Sequence, residues 1–310
     1  MKHKFMTNVF LSIFLLVSSV ANAHQSFSQV YVFGDSLSDT GNLASIVGPF
    51  PSPPFYDNRV SNGPVAVEIL AEKLGLPLHT SLHLVGPAVG SNYAIAGANA
   101  AGNEGIDLPM QLNIFLANHG YRAPGDALYV IMIGGNDIRG ARAAIDKTSA
   151  KAIINSAVQQ VLFTLDALIQ SGARRFLIVN SPNIGIIPET SILSVVNDDP
   201  MLARRATKLS RYYRNQLHKY IEQYEDNENI KIIEFDLFKQ FNKLIKKSEK
   251  YGFTNSTEAC FSSITFTFNE GCNFSLNFDQ YIFFDEIHPT ARVHAIIGNA
   301  FYKAVLKDDD

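Results

Sequence analysis

Ser36 stands where an apolar run gives way to a turn. Val30-Tyr31-Val32-Phe33 ends at Gly34, and Gly34-Asp35-Ser36-Leu37-Ser38-Asp39-Thr40-Gly41-Asn42 follows. A hydroxyl at the carboxyl end of a strand lies where open α/β sheets bind ligands. A helix starting just beyond would aim its N-terminal amides at a developing oxyanion. To act as a nucleophile, a Ser needs a base, and a His base needs a carboxylate to hold its tautomer and stabilise its charged form. Phe283-Phe284-Asp285-Glu286-Ile287-His288-Pro289-Thr290 supplies both, with Asp285 three residues before His288. One turn of chain can close that spacing. Pro289 and Thr290 read as the entry to a final helix, with Thr290 as its cap. Asp137 is a rival orienter for His288, although its place in the chain offers no direct coupling.

Candidate oxyanion donors lie between these two blocks. Tyr129-Val130-Ile131-Met132-Ile133 runs into Gly134-Gly135-Asn136-Asp137, a strand that ends in a Gly turn and presents the Asn136 amide. Asn92-Tyr93-Ala94-Ile95-Ala96-Gly97-Ala98 contains a glycine whose N–H can approach a ligand closely. Gly90 and Gly102 are nearby and compete with Gly97 for that place. Asp35 reads as a structural acid beside the nucleophile. Asp39 and Asn42 read as loop holders through local side-chain-to-backbone bonds. His79, His83, His119 and His294 have no partners at metal-ligand spacing, so packing or solvated roles are expected for each.

Together these blocks resemble the GDSL (SGNH) hydrolase family. The four letters of its name map onto Ser36, Gly97, Asn136 and His288. The resemblance implies Ser36 as nucleophile, His288 as base and Asp285 as orienting acid. It implies an oxyanion hole made of the Ser36 N–H, the Gly97 N–H and the Asn136 amide. The long first block and Asp-x-x-His-Pro-Thr look like its secreted lipase branch of phospholipases A, lysophospholipases and glycerophospholipid–cholesterol acyltransferases. A flavodoxin-like sandwich of helices around a parallel sheet, with strand order 2-1-3-4-5, is what the family implies. No metal or organic cofactor is implied. No Gly-x-Ser-x-Gly elbow occurs, which disfavours the α/β-hydrolase topology.

The chain has 310 residues, 46% hydrophobic and 18% charged, enough to bury a large core. A net charge of −3 argues against a nucleic-acid binder. Lys2 and Lys4, the apolar stretch Val9 to Val20 and Ala21-Asn22-Ala23 have the form of a cleaved signal peptide. Residues 1–23 are therefore expected to be removed, leaving one domain, 24–310, in a secreted or periplasmic protein. An uncleaved anchor is the alternative, for which the apolar stretch is short. No other long apolar run is expected. Cys260 and Cys272 are the only cysteines. In an exported protein such a pair most often forms a disulfide, free thiols being the alternative.

Strands are expected at 30–33, 129–133, 175–180 and 230–235. Helices are expected at 64–74, 107–118, 149–170, 199–224, 237–248 and 290–306. Strands alternating with helices imply a parallel sheet with right-handed crossovers. Helix 199–224 is basic and aromatic, and either faces solvent or rests transiently on anionic lipid head groups. The Phe-rich segment 252–284 encloses both cysteines. Two readings stay open for it: a border or lid of an acyl site, or a hairpin with its own core. The expected function is hydrolysis of fatty-acyl esters of phospholipids or lysophospholipids, with an alcohol as a possible alternative acceptor. Carbohydrate O-acetyl or short-chain arylester hydrolysis is the second reading. A non-catalytic binding protein on a hydrolase scaffold is the third.

Overall fold

A computed structural model describes residues 27–272 and 277–307. The expected signal segment 1–23, the start at residue 24 and part of the Phe-rich segment, 273–276, lie outside the described residues. Four short runs rich in β-branched and aromatic residues form the central sheet. β1 (Val30–Gly34), β2 (Leu128–Met132), β3 (Arg175–Val179) and β4 (Lys231–Phe235) pair in that order. Every pairing is parallel and in continuous register, for example Val32 beside Val130 and Val130 beside Leu177. β1 to β3 are buried almost throughout because helices cover both faces.

The family resemblance implied a further strand outside β1, and the chain supplies it only in part. Segment 91–95 follows the free edge of β1, with Val32 N–H donating to Ser91 O at 3.0 Å and Tyr93 N–H to Val32 O at 2.8 Å. It forms only isolated bridges at Asn92, one to Val32 and one to Thr80, instead of a regular strand. Its other edge is taken up by the 79–81 loop, where Ser91 N–H donates to His79 O at 3.0 Å. Counting this segment, the spatial order matches the implied 2-1-3-4-5, with its second member irregular.

The helices are α1 (Ala44–Val47), α2 (Ala66–Lys73), α3 (Leu108–Asn118), α4 (Gly135–Arg142), α5 (Lys147–Gln170), α6 (Pro188–Val196), α7 (Leu202–Ile221), α8 (Leu237–Lys246) and α9 (Ala291–Lys307). α2 packs on α9, whereas α4, α5 and α7 pack on one another with α3 beside α5. α4 and α6 were not anticipated. α4 opens on two glycines, a poor helix signal, and α6 opens on Pro188 directly after an irregular loop. α5 starts earlier than expected because Asp146 caps it, accepting from Thr148 N–H at 2.7 Å and Ser149 N–H at 2.8 Å. α5 is also long and apolar enough to cross a membrane, contrary to the expectation of no further apolar run. Here it is a core helix, burying Ile154, Val158, Val161 and Leu165.

Thr290 does not cap α9 with its side chain. Its hydroxyl donates to Tyr281 O at 2.8 Å, and Asn62 Oδ1 accepts from Ala291 N–H at 2.9 Å. The cap thus comes from Asn62, 229 residues upstream.

Segment 252–284 forms a small satellite. β5 (Asn255–Ala259) pairs with β8 (Tyr281–Phe283), and β6 (Phe261–Ser262) pairs with β7 (Thr267–Phe268). Cys260 and Cys272 are disulfide-bonded, with Cα atoms 5.3 Å apart. Phe55, Phe261, Phe278, Tyr281 and Phe284 bury themselves around the bridge in a cluster separate from the main core.

Candidate active site

The ends of β1, β2 and β3, together with the loop before α9, converge at the carboxyl edge of the sheet. Beyond β1, the Ser36 turn is tied from several sides. Gln111 of α3 brackets Gly34, accepting its N–H at 2.9 Å and donating to its carbonyl at 2.8 Å. Asp35 Oδ1 accepts from Leu37 N–H at 3.1 Å. The Asp39 carboxylate accepts from Gly41, Asn42 and Leu43 within the loop and from Ala96 N–H at 2.8 Å across to the neighbouring segment. Asn42 works at longer range than expected. Its amide donates to Asn92 O and Ala94 O, and its oxygen accepts from Leu82 N–H.

His288 Nε2 lies 2.8 Å from Ser36 Oγ, and its Nδ1 lies 2.8 and 2.9 Å from the two Asp285 oxygens. The carboxylate assigns the tautomer: Nδ1–H donates to Asp285, which leaves Nε2 to accept the Ser36 hydroxyl proton. Asp285 Oδ1 also accepts from Ile287 N–H at 2.9 Å and His288 N–H at 2.7 Å. The acid therefore shapes the same short loop that carries the base. All three side chains are buried or nearly so.

Asn136 occupies the first turn of α4. Gly134, just before it, has φ +112, and a Cβ there would stand 2.5 Å from the Tyr213 ring. The left-handed turn and the close ring leave glycine as the fitting residue. The Asn136 amide donates one hydrogen to Ala98 O at 2.8 Å, while its oxygen accepts from Arg139 Nη1 at 2.9 Å. An amide nitrogen carries two hydrogens and Ala98 O takes one, while Asn136 lines the pocket together with Ser36 and His288. Gly97, with φ +92, is the residue before Ala98, so its stretch of backbone is held against Asn136. Asp137 holds the same stretch, accepting from Ala100 N–H at 2.8 Å and Ala101 N–H at 3.1 Å. That role removes it as an orienter of His288.

A pocket opens from Ser36 and His288 into the molecule. Met132, Ile184, Ile187, Leu237, Phe241 and Ile297 give it an aliphatic and aromatic wall. Among the described residues, none of 252–284 lines it. Phe261, Phe278, Tyr281 and Phe284 gather in a core of their own, as the second reading of that segment expected, whereas Phe253, Ile282 and Phe283 join the main core. The wall residues escaped sequence reasoning because they come from four separate segments, β2, the loop before α6, α8 and α9, each with an ordinary apolar pattern. Arg139 carried a faint signal: on a helix, position i+3 from Asn136 shares its face.

Burial dominates the electrostatics. It pushes the Asp35 carboxyl up to about 6, with the Leu37 N–H and His288 pulling the other way. Burial would also raise Glu189, but hydrogen bonds from Arg139 and Arg142 outweigh it and hold that carboxyl below its ordinary value. His294 is pushed down to about 3 by burial and by the neighbouring His288. Its neutral Nδ1 accepts from Ala66 N–H at 3.2 Å. Among the described residues, no group of three or more His, Cys, Asp or Glu is set to hold a metal.

A Ser hydroxyl on a His–Asp pair, a free amide N–H and an apolar pocket together form the equipment of acyl transfer from an ester. Comparison with known proteins agrees with that chemistry. The family description "GDSL-like Lipase/Acylhydrolase" matches residues 30–301, and the chain belongs to that family of ester hydrolases. Phosphatidylcholine-sterol acyltransferase of Aeromonas hydrophila is 27% identical over 259 residues, covering 81% of this chain and 70% of the relative. Acetylajmalan esterase 2 of Rauvolfia serpentina is 27% identical over 330 residues, covering 91% of each. Among solved structures, the lipase Lip_vut3 from a goat rumen metagenome is 14% identical, with 89% of this chain and 96% of that one covered and a TM-score of 0.45.

Proposed function

We propose that the protein is an exported serine hydrolase that releases fatty acid from lysophospholipids and related phospholipid esters. Ser36 Oγ attacks the ester carbonyl as its proton passes to His288 Nε2. Asp285 stabilises the imidazolium that results. The oxyanion rests on the Ser36 and Gly97 N–H groups and on the free hydrogen of Asn136. His288 then returns the proton to the leaving glycerol oxygen, and water cleaves the acyl-enzyme by the same route. The observation that carries this reading is the 2.8 Å Ser36–His288 contact at the mouth of an apolar pocket. The wall of this cavity, about 40 Å³ in volume, matches the first carbons of an acyl chain, and the rest of a long chain would extend along the surface. Export rests on the form of residues 1–23 and on the Cys260–Cys272 bridge.

The Aeromonas relative is named for acyl transfer from phosphatidylcholine to a sterol. The same acyl-enzyme here can yield to an alcohol in place of water, so transfer is a second outcome of one mechanism. The test compares fatty acid released from lysophosphatidylcholine, with and without added sterol, against acetate released from acetylated sugars. Wild type is expected to favour the lipid, and Ser36→Ala to abolish both activities. Equal acetate release would move the substrate to carbohydrates, and unchanged activity in Ser36→Ala would sink the mechanism.

A further inference from the structure

The carboxyl edge of the sheet carries a second feature besides the pocket. β2 and β3 are parallel neighbours joined through α4 and α5, and β3 and β4 are joined through α6 and α7. Helices that return the chain between parallel strands start at the carboxyl edge. The first turns of α5 and α7 therefore lie at the same end of the molecule as Ser36. A groove between them is lined by Ile145, Lys147, Lys151, Met201, Arg204 and Lys208. Asp146 also lines it, but that carboxylate is engaged by the first amides of α5.

Two properties set this groove apart. First, it concentrates positive charge on a chain whose net charge is −3. Lys147, Lys151, Arg204 and Lys208 are exposed, and none makes an ion pair among the described residues. Arg205 is the lining cation that does, held by Asp199. Lys151 Nζ instead stands 5.0 Å over the Tyr212 ring. Arg204, Lys208 and Arg211 follow one another at helical spacing, so the positive stripe continues along α7. Second, bare apolar side chains sit at the rim, Ile145 being 96% exposed and Met201 49%. Charged stems around exposed apolar tips suit the boundary between lipid head groups and acyl chains. A soluble polyanion would use the charges and leave Ile145 idle.

We propose that this groove docks the enzyme on an anionic lipid surface with the Ser36 end facing the lipid. α4 links the two features. Asn136 and Arg139 on its first turns line the pocket, and the Arg142 carbonyl near its end accepts from Arg205 Nε of α7 at 3.1 Å. Eight residues of helix span about 12 Å. Docking at the groove thus keeps the pocket mouth close to the lipid plane. The link to catalysis rests on the lipid-hydrolase reading, whereas the docking itself does not.

Binding is measured with the intact Ser36→Ala protein on vesicles of phosphatidylcholine alone and with one third phosphatidylglycerol. Affinity is expected to be higher for the mixed vesicles and to fall as salt shortens the Debye length. The triple variant Lys151→Gln, Arg204→Gln, Lys208→Gln should bind about a hundredfold more weakly, at several-fold per charge removed. Ile145→Ser with Met201→Ser should weaken vesicle binding and leave heparin binding unchanged. In the Ser36 background, all these exposed substitutions should leave hydrolysis of a soluble short-chain ester unchanged. Equal binding to both vesicle types, or to wild type and triple variant, overturns the proposal. Heparin binding without vesicle binding overturns it too, in favour of a polyanion site. Vesicle binding by a protein that hydrolyses no lipid ester would instead refute the lipid-hydrolase reading and leave the docking surface standing.

Discussion

Arg139 Nη1 donates to Asn136 Oδ1 at 2.9 Å, and this contact decides which end of the Asn136 side chain faces the pocket. With the oxygen turned to the guanidinium, the nitrogen points to Ala98 O, and the residue lines the pocket that Ser36 also lines. Glu189 holds Arg139 in turn, accepting from Nε at 2.9 Å. The Glu189 N–H donates to Glu286 O at 2.8 Å, inside the loop that carries Asp285 and His288. One chain of hydrogen bonds thus joins the proposed oxyanion donor to the acid–base loop. Asn136→Ala is expected to lower kcat by about a hundred- to a thousandfold. Arg139→Met should cost roughly ten- to a hundredfold, chiefly in kcat, because it misplaces the amide without removing it. In the Asn136→Ala background, Arg139→Met should cost nothing more. Additive losses in that double variant would show that Arg139 does not act through Asn136.

Asp285→Asn keeps an oxygen for the Ile287 and His288 amides but loses the charge opposite Nδ1. The imidazole is then free to take the wrong tautomer, and kcat should drop by about four orders of magnitude. Circular dichroism and thermal unfolding should stay near those of the parent. Retention of more than a tenth of the activity would assign the orienting role elsewhere.

Chain-length preference should reside in the aliphatic wall. Ile297 of α9 lines the pocket and is 4% exposed. Ile297→Phe adds bulk that the packed helix cannot relieve, at about 1–3 kcal/mol. Rates on long-chain p-nitrophenyl esters should fall, with acetate and butyrate esters little affected. A uniform loss across chain lengths would place the acyl chain outside this pocket.

His294 makes the fold acid-sensitive. Its folded pKa is depressed, so the neutral form is the one the fold keeps. Below the ordinary value near 6.5, the unfolded chain binds a proton that the folded chain refuses. Stability from this group is therefore complete above pH 6.5 and is lost on acidification from there toward about 3. The slope approaches about 1.4 kcal/mol per pH unit. His294→Asn retains an acceptor for the Ala66 N–H and removes the titration. Urea midpoints at pH 7, 6, 5 and 4 should fall more steeply for the parent than for the variant, and parallel curves would refute the assignment.

The regular elements were readable in the chain because their signals are local. The runs at 30–33, 129–133 and 175–180 are short, apolar and bounded by Gly, Pro or Asn, and each became a buried parallel strand. The second strand was less regular than the family implies, because its Asn92 serves the 38–42 loop as well as the sheet. α4 was missed, since two glycines at its start hide a helix that only Tyr213 and Ile138 packing makes favourable.

The linear sequence determined the chemistry of the site. Ser36, Asn136, Asp285 and His288 sit beside breaks in strand patterns, and a three-residue spacing is enough to bring Asp285 onto the His288 ring. What only the tertiary structure decided lies in contacts between distant segments. The pocket wall, the Arg139–Glu189–Glu286 link, the Asn62 cap on α9 and the groove between α5 and α7 each join residues with no local relation. Periodicity shows which face of an element is buried, but not which other face it meets. The aromatic segment shows this most clearly. Its composition suggested an acyl site, yet Phe261, Phe278 and Phe284 pack with Phe55, while Phe253 and Phe283 join the main core, leaving four other segments to wall the cavity beside Ser36.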